Sequence, residues 1–190
     1  MRNRLRIAGL LLVGLGFLFG VGCASKTTTP AEAQAEIDQL ESKVNVVKGR
    51  FKKSHPDAAV YYDGCAGYAV FPEVRKGAFF IGGGYGQGLV FNNADPDYVI
   101  GRSSFTQGSI GLSIGGQKFS EIIFFEDEAA LTHFKNGNME INATASAVVA
   151  GAGATGRARY NNGVAIFVMG ETGLMAEAAI GGQKFKFTPM

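Results

Sequence analysis

The sequence predicts an α+β fold in which an N-terminal helix packs on a curved, mainly antiparallel β-sheet, and it leaves open whether that sheet closes into a barrel-like form. Apolar residues recur at helical spacing between Ile37 and Phe51, as expected for one apolar stripe on a helix. After Pro56 the chain changes to short runs rich in β-branched and aromatic residues, which are typical of strands. Many of the 28 glycines are interleaved with aromatic residues, a mixture that favours bent or closely packed strands.

The first 22 residues have the pattern of a secretory signal peptide. Arg2, Arg4 and Arg6 form a basic leader, and the uncharged apolar stretch 7–21 follows it. This stretch is shorter than the roughly 20 apolar residues that a transmembrane helix needs. Because small residues at 20–22 then resemble a cleavage site, we expect residues 1–22 to be removed on export.

Cys23 directly follows those small residues, and this ending resembles the lipobox of bacterial lipoproteins, although Gly20 stands where leucine is usual. The resemblance implies cleavage before Cys23 and attachment of diacylglycerol and an N-acyl chain to it. Ala24, in place of aspartate, resembles the signal for sorting to the outer membrane. We expect a lipidated cysteine and short linker at 23–29, one domain at 30–190, and an anchor in the outer membrane facing the periplasm. The alternative is an ordinary signal peptide that contains a cysteine.

Charge and cysteine content narrow the functional classes. Removing the three leader arginines leaves 15 basic and 16 acidic residues, so the mature chain is not basic overall and we expect no nucleic-acid partner. With Cys23 lipidated, Cys65 has no partner for an intramolecular disulfide. Because Gly64 and Ala66 beside it are small and uncharged, we expect Cys65 to be a small buried side chain and not a reactive thiol.

The first helix is predicted to run from Pro30 to about Lys53. Thr29 is suited to the N-cap position, and Glu32 completes a capping box with it. Proline at the first helical position is favourable, since its missing N–H would have no helical partner there. The His-Pro pair at 55–56 ends the helix.

The chain after the first helix is predicted to be mostly strands. Strands are expected at 60–62, 68–71, 78–91, 105–114, 119–125, 143–149, 157–160, 164–169, 174–180 and 184–188. Polar and turn-forming residues at 92–97 indicate one reversal of the chain. Asn162 and Gly163 indicate a hairpin, because this pair favours the tight turn that joins antiparallel strands.

The second half of the sequence adds a short helix and an internal repeat. The helix is expected at 127–136, capped by Asp127 and ended by Gly137. The hexapeptide at 114–119, Ile-Gly-Gly-Gln-Lys-Phe, recurs at 180–185. We interpret the two copies as a reused strand–bend–strand unit, since they are too few for a solenoid.

The sequence offers little material for catalysis, and we expect no enzymatic activity, no cofactor and no bound metal. Residues 151–156 match Gly-x-Gly-x-x-Gly by letter, but a strand and a tight turn are predicted where a dinucleotide site needs a helix. The histidines, His55 and His133, have no metal-ligand spacing to each other or to Cys65. The acidic residues at 126–128 fit the start of a helix, where the dipole favours negative charge.

A cluster of cations at the end of the first helix is the most informative charge feature. Its four members lie within six residues: Lys48, Arg50, Lys52 and Lys53. One interpretation is that they complement the helix C-terminal dipole, at about 0.3–1 kcal/mol per charge. The other is contact with anionic lipid headgroups, at about 1 kcal/mol per charge near such a surface. We hypothesise a headgroup site that combines this cluster with Arg75 and Lys76.

Several spaced motifs together resemble the SYLF-domain family. They are Gly-Tyr-Ala-Val-Phe-Pro at 67–72 and the glycine-rich run 76–88, followed in order by 111–117, 125–134, 173–176 and 181–185. The likeness covers roughly residues 44–190. It implies an α+β domain rich in antiparallel strands that binds phospholipids. The phosphoinositide and actin partners of eukaryotic members do not transfer to a bacterial envelope, and the resemblance supplies no residue-level site.

The expected function is therefore non-enzymatic binding of anionic membrane phospholipids by an exported lipoprotein of the cell envelope. Cys23 supplies the anchor in this hypothesis, and the basic residues supply the headgroup contact. The alternative is a structural or partner-binding envelope lipoprotein without specific lipid recognition, whose protein partner the sequence does not identify.

Overall fold

The fold is an α+β arrangement of helices on one antiparallel β-sheet, as the sequence predicts. The computed structural model describes residues 29–79, 81–110, 117–137, 139–141, 160–170, 173–174 and 182–190. The helices in these ranges are α1 (Pro30–Ser54), α2 (Ala59–Gly64) and α3 (Glu128–Lys135), with a 3₁₀ turn at Pro56–Ala58. The strands are β1 (Gly67–Phe79), β2 (Ile81–Asn92), β3 (Asp95–Ile110), β4 (Gln117–Phe125), β5 (Glu140–Ile141), β6 (Val164–Gly170), β7 (Gly173–Leu174) and β8 (Gly182–Pro189).

Helix α1 begins and ends close to where the sequence predicts. The Glu32 backbone N–H donates to Thr29 Oγ1 at 3.3 Å, and the Thr29 backbone N–H donates to the Glu32 carboxylate at 2.8 Å, so the capping box is present. At the other end the His55 N–H donates to the Phe51 carbonyl. The buried part of the apolar stripe consists of Val44, Val47 and Phe51. No helix in the described ranges combines the length and apolarity needed to cross a membrane.

Helix α2 occupies the segment predicted as a strand at 60–62, so that prediction is wrong. The Cys65 N–H closes the helix by donating to the Tyr61 carbonyl at 3.1 Å. The Tyr61 ring packs at 5.0 Å from the Phe167 ring and at 5.6 Å from the Phe124 ring, centroid to centroid. Aromatic residues favour strands only weakly, and here packing of Tyr61 against the sheet outweighs that preference.

The sheet has the strand order β5-β8-β3-β2-β1-β4-β6-β7, with every neighbouring pair antiparallel. The predicted single strand at 78–91 is divided, because β1 ends at Phe79 and β2 begins at Ile81. The predicted reversal at 92–97 is present but tighter, since Asn92 already pairs with Asp95.

The sheet is strongly curved. Strands β8 and β4 are separated by four strand spacings, about 19 Å in a flat sheet. Nevertheless Gln183 on β8 and Glu121 on β4 are joined by a hydrogen bond of 2.9 Å. The sheet therefore curls until these two strands face each other across its interior. It does not close into a barrel in its described part, where β5 and β7 form two separate edges.

The curvature gives the sheet an inner and an outer face, each with its own core. The inner face carries Phe71, Phe105 and Phe185, whose rings contact one another, and it is covered by α3. The outer face carries a second buried cluster, and it is covered by α1 and α2. Side chains alternate between the two faces along each strand.

Glycines on the inner face of β2 make room for the aromatic rings of neighbouring strands. A Cβ at Gly86 would lie 2.9 Å from the Phe105 ring, and one at Gly88 would overlap the Val70 carbonyl and the Phe71 ring. The expectation of closely packed, bent strands is confirmed at these positions. At Gly83, in contrast, an added Cβ would meet only a carbonyl at 3.9 Å.

The predicted short helix and hairpin turn are both present. The Ala130 N–H donates to Asp127 Oδ1 at 2.8 Å, which makes Asp127 the N-cap of α3. Gly137 ends that helix with a φ of +70°. Asn162 and Gly163 have φ values of +52° and +78°, as the tight turn before β6 requires.

Several sequence predictions lie outside the described residues. They are the signal peptide 1–22, Cys23, the strand at 143–149, the glycine motif at 151–156, and most of the strands at 157–160 and 174–180.

Candidate anion-binding face

The predicted basic cluster at the end of α1 is divided by the helix into two flanks. Successive residues of an α-helix are about 100° apart, so Lys48 and Lys52 share one side while Arg50 and Lys53 share another. The four cations therefore do not form a single site, although all of them lie on the last turns of α1, the helix that covers the outer face of the sheet.

The first flank is held against aromatic rings. Lys48 Nζ lies 4.4 Å from the centroid of the Phe91 ring and 5.4 Å from that of Tyr68. Lys52 Nζ lies 4.8 Å from the centroid of the Tyr62 ring. These are cation–π contacts, worth about 0.5–1 kcal/mol at exposed sites.

The second flank faces the middle of β1, the start of β4 and the end of β6. Arg50 Nη2 donates to the Gly170 carbonyl at 3.0 Å, and a cleft of about 140 Å³ separates Arg50 from Lys118 and Glu73. Lys53 is exposed one turn further along the helix. This flank is thus continuous with the charged part of the sheet.

The exposed end of the outer face carries one row of cross-strand neighbours that crosses five strands. Its members, from β8 to β4, are Lys184, Thr106, Tyr85, Arg75 and Lys118, each paired in register with the next. All five are exposed, and three of them are cations. Lys186 occupies the neighbouring outer-face row on β8, in register with Ser104. The outer face beyond α1 is therefore a basic, solvent-exposed surface, which we call the basic face.

Glu73 is an acidic residue within the basic face, and its environment shows how the cations converge. Its carboxylate accepts a hydrogen bond from Arg75 Nε and lies 3.9 Å from Lys43 Nζ. The pKa of Glu73 is lowered, first by the hydrogen bond from Arg75 and then by the charges of Arg75, Lys43 and Lys118. Cations from α1, β1 and β4 therefore act on one point of the surface.

Sequence reasoning found part of this face and missed the rest. Arg75 lies in the row as predicted, whereas for Lys76 the structure describes only the backbone, within β1. The missed residues are Lys43, Lys118, Lys184 and Lys186. The sequence could have identified two of them. Lys118 and Lys184 hold equivalent positions in the repeated hexapeptide, and each precedes a buried phenylalanine, so strand alternation places both lysines on the outer face.

The inner face holds one fully buried carboxyl group, Glu121. Gln183 Nε2 donates to Glu121 Oε2 at 2.9 Å and lies 3.5 Å from Gln107 Oε1. Glu121 Oε1 and Gln183 Oε1 have no hydrogen-bond partner among the described residues. Burial raises the pKa of Glu121 to about 7, against the opposing effect of the Gln183 hydrogen bond. A charged carboxylate is therefore disfavoured at Glu121 on the inner face, whereas it is favoured at Glu73 on the outer face.

Cys65 is a buried free thiol, which confirms the sequence prediction. Its Sγ donates weakly to the Tyr62 carbonyl at 3.8 Å. Burial raises the pKa of Cys65 to about 11, so the reactive thiolate is disfavoured near neutral pH. Within the described ranges, no three His, Cys, Asp or Glu side chains come together in a way that could hold a metal ion.

Fold and surface together define an α+β domain whose curved sheet exposes a basic face. No protein-family model matches the chain. The chain is 29% identical over 157 residues to Beta cell expansion factor A of Aeromonas veronii, a match that covers 83% of this chain. The matched region is 58% of the relative's length, so the chain spans little more than half of that protein.

Proposed function

We propose that this domain binds anionic phospholipid headgroups without catalysing a reaction, on a chain that Cys23 anchors in the outer membrane facing the periplasm. The main support for the proposal is the basic face. Its row Lys184–Thr106–Tyr85–Arg75–Lys118 places three cations on rigid neighbouring strands instead of on mobile loops.

The chemistry of the basic face suits a lipid surface. Each Lys or Arg near an anionic membrane contributes about 1 kcal/mol. Arg75 adds a planar guanidinium group that can contact two phosphate oxygens at once. Tyr85, which is 49% exposed in the middle of the row, is of the residue type that concentrates at membrane–water interfaces.

Two further considerations bear on the proposal. The resemblance of the chain to SYLF domains, which bind phospholipids, favours the same ligand class. The name of the Aeromonas relative refers to expansion of beta cells and specifies no ligand, so it adds no chemistry. The alternative is an acidic protein partner on the same face, since a protein surface and a membrane can offer the same negative charge.

Vesicle co-sedimentation tests the proposal with two matched variants. Arg75→Gln with Lys118→Gln removes two cations from the basic face, whereas Lys48→Gln with Lys52→Gln removes two that contact aromatic rings. For a soluble form that begins after Cys23, we expect the first pair to weaken binding to anionic vesicles roughly 30-fold and the second pair to have a smaller effect.

The salt dependence and the lipid dependence provide the controls. Binding should decrease as salt rises, because screening shortens the range of the attraction to about 8 Å at physiological ionic strength. Equal binding to neutral and anionic vesicles, unchanged in both variants, would exclude headgroup recognition by the basic face and favour the protein-partner alternative.

The anchor requires its own test. We expect metabolic labelling with a fatty acid to mark the wild-type chain, and Cys23→Ser to abolish the label and leave an unprocessed or soluble form. A label that persists in Cys23→Ser would contradict this part of the proposal.

A further inference from the structure

We propose that the groove between the first half of α1 and strands β2, β3 and β8 binds the headgroup of a single anionic phospholipid. The inference rests on the proposed function and deepens it, since it adds a site for one lipid molecule to a face that contacts a lipid surface. The groove is lined on one side by the helix and on its floor by the outer face of the sheet.

The groove exists because the helix does not lie flat against the sheet along its whole length. Val44 and Phe51, in the second half of α1, have no exposed surface. Ile37 and Leu40, in the first half, belong to the same apolar stripe but are only half-buried. The first half therefore leaves an apolar wall that the protein itself does not fully cover.

The floor of the groove, which lies across from the apolar wall, carries positive charge and hydroxyl groups. Arg102 on β3 and Lys186 on β8 supply two cations, and Ser104 and Thr188 beside them supply hydroxyl groups. Ser103 points to the other face and fixes the strand pair, since its Oγ donates to the Lys186 carbonyl at 3.2 Å. The cations are thus held on a paired and rigid part of the sheet.

The charge balance of the groove selects an anion. Among the described residues that line it, Glu36 on α1 is the acidic one, against Arg102 and Lys186. An apolar wall facing a cationic floor matches an amphiphile whose phosphate meets Arg102 and Lys186 and whose glycerol and first methylene groups lie against Ile37 and Leu40. A guanidinium group and a lysine are common partners of phosphate.

The size of the groove limits how much of the lipid enters it. Its volume is about 200 Å³. Sites that enclose drug-sized molecules usually have roughly 300–1,000 Å³. The groove therefore accommodates a headgroup and the adjoining atoms, while the acyl chains stay outside it, in the membrane.

The position of the groove along the chain places it near the proposed anchor. Ile37 is seven residues beyond the start of α1, about 10 Å along the helix. The six residues 24–29 that join α1 to Cys23 reach at most about 20 Å. A phospholipid of the leaflet that holds the Cys23 lipid is therefore within reach of Arg102 and Lys186.

Native mass spectrometry of the full-length lipidated protein, purified in mild detergent and mixed with phosphatidylglycerol, tests the inference. We expect wild type to retain one phosphatidylglycerol and no phosphatidylcholine. Arg102→Gln with Lys186→Gln should lower retention on the order of tenfold or more. The control, His133→Gln with Lys135→Gln, also replaces two exposed basic residues, but they lie on α3, outside the groove and outside the basic face, so it should keep the retained lipid.

A second variant and a competitor separate lipid from other anions. Ile37→Gln leaves both cations in place and removes part of the apolar wall, so it should lower retention of phosphatidylglycerol without changing the folded circular-dichroism spectrum. Inorganic phosphate at the same concentration should not displace the lipid. Displacement by phosphate alone, or equal retention in the two double variants, would overturn the inference.

The result also separates this inference from the proposed function. If wild type retains no phosphatidylglycerol but still sediments with anionic vesicles through Arg75 and Lys118, the groove is not a lipid site and the basic face remains the membrane contact. If vesicle binding is absent while one lipid is retained in the groove, the groove is supported as a lipid site, and the proposed membrane contact of the basic face is contradicted.

Discussion

The two faces of the curved sheet are built from the same strands, yet they treat a carboxyl group in opposite ways. Glu73, beside the exposed cations of the outer face, has a lowered pKa because Arg75 donates a hydrogen bond to it. Glu121, in the inner face, has a pKa raised to about 7 because burial disfavours its charged form. Because successive side chains of a strand point to opposite faces, two residues that are neighbours in sequence lie in different electrostatic environments, and the charged groups are on the exposed outer face.

The largest effect is expected from disturbing the inner face at Gly88. Gly88→Ala places a Cβ against the Val70 carbonyl and the Phe71 ring, and neither is a flexible side-chain end. We expect a loss of about 3 kcal/mol or more in the free energy of unfolding. Urea denaturation measures it, and Gly83→Ala is the matched control, because its Cβ would meet only a carbonyl at 3.9 Å. Equal stability of the two variants would show that close packing at β2 does not hold the curved sheet.

The next effect is a pH dependence that belongs to Glu121. Its folded pKa of about 7 lies above the ordinary value of 4.5, so the folded protein binds a proton that the unfolded chain has released between these values. The contribution of Glu121 to stability is therefore fully present below about pH 4.5, and roughly 3 kcal/mol of it is lost as the pH rises from there through about 7. Urea denaturation at a series of pH values measures this decrease.

Glu121→Gln sharpens that test. The new amide can accept from Gln183 Nε2 and donate to Gln183 Oε1, which has no partner among the described residues. We expect the variant to be more stable than wild type at pH 8 and similar to it at pH 4. Parallel pH profiles for the two proteins would place the titrating group elsewhere.

Charge reversal on the outer face should leave stability almost unchanged while it alters binding. Lys118→Glu replaces an exposed cation, so the free energy of unfolding should change by no more than about 0.5 kcal/mol. It should raise the pKa of Glu73, whose charge Lys118 now stabilises, and it should weaken binding to anionic vesicles. Carbon-13 NMR titration of Glu73 and vesicle co-sedimentation measure the two effects. An unchanged Glu73 pKa would contradict the convergence of cations at that point.

Many of the helix ends and turns, and part of the separation into an outer and an inner face, were predictable from the sequence, because they follow from patterns of residues close in sequence. The capping box at Thr29 and the Asn162 turn depend on residues close in sequence, and the structure confirms both. The repeated hexapeptide already contained the alternation that puts Lys118 and Lys184 outside and Phe119 and Phe185 inside.

The remainder depends on contacts between residues distant in sequence, which a local pattern does not contain. The strand predicted around Tyr61 is a helix because Tyr61 packs against Phe124 and Phe167. The cation cluster was predicted as one site from its spacing, yet the helix sends Lys52 to a ring of α2 and Arg50 to the end of β6. The buried Glu121 was not predicted, because the curvature of the sheet brings to it Gln183, which is 62 residues away in sequence.

The smallest expected effect distinguishes two neighbouring cations of α1. Lys52 Nζ lies over the Tyr62 ring at 4.8 Å, whereas Lys53 is exposed on the opposite flank. Because the cation–π contact is made in the folded state, Lys52→Gln should lower the free energy of unfolding by about 0.5–1 kcal/mol. Lys53→Gln removes the same charge from the same helix end, so it reproduces any loss of dipole stabilisation without loss of a ring contact. Urea denaturation at low and high salt compares the two variants. A larger loss for Lys52→Gln that persists in high salt identifies the ring contact, whereas equal losses that disappear in salt would return both residues to the role of helix-end charges.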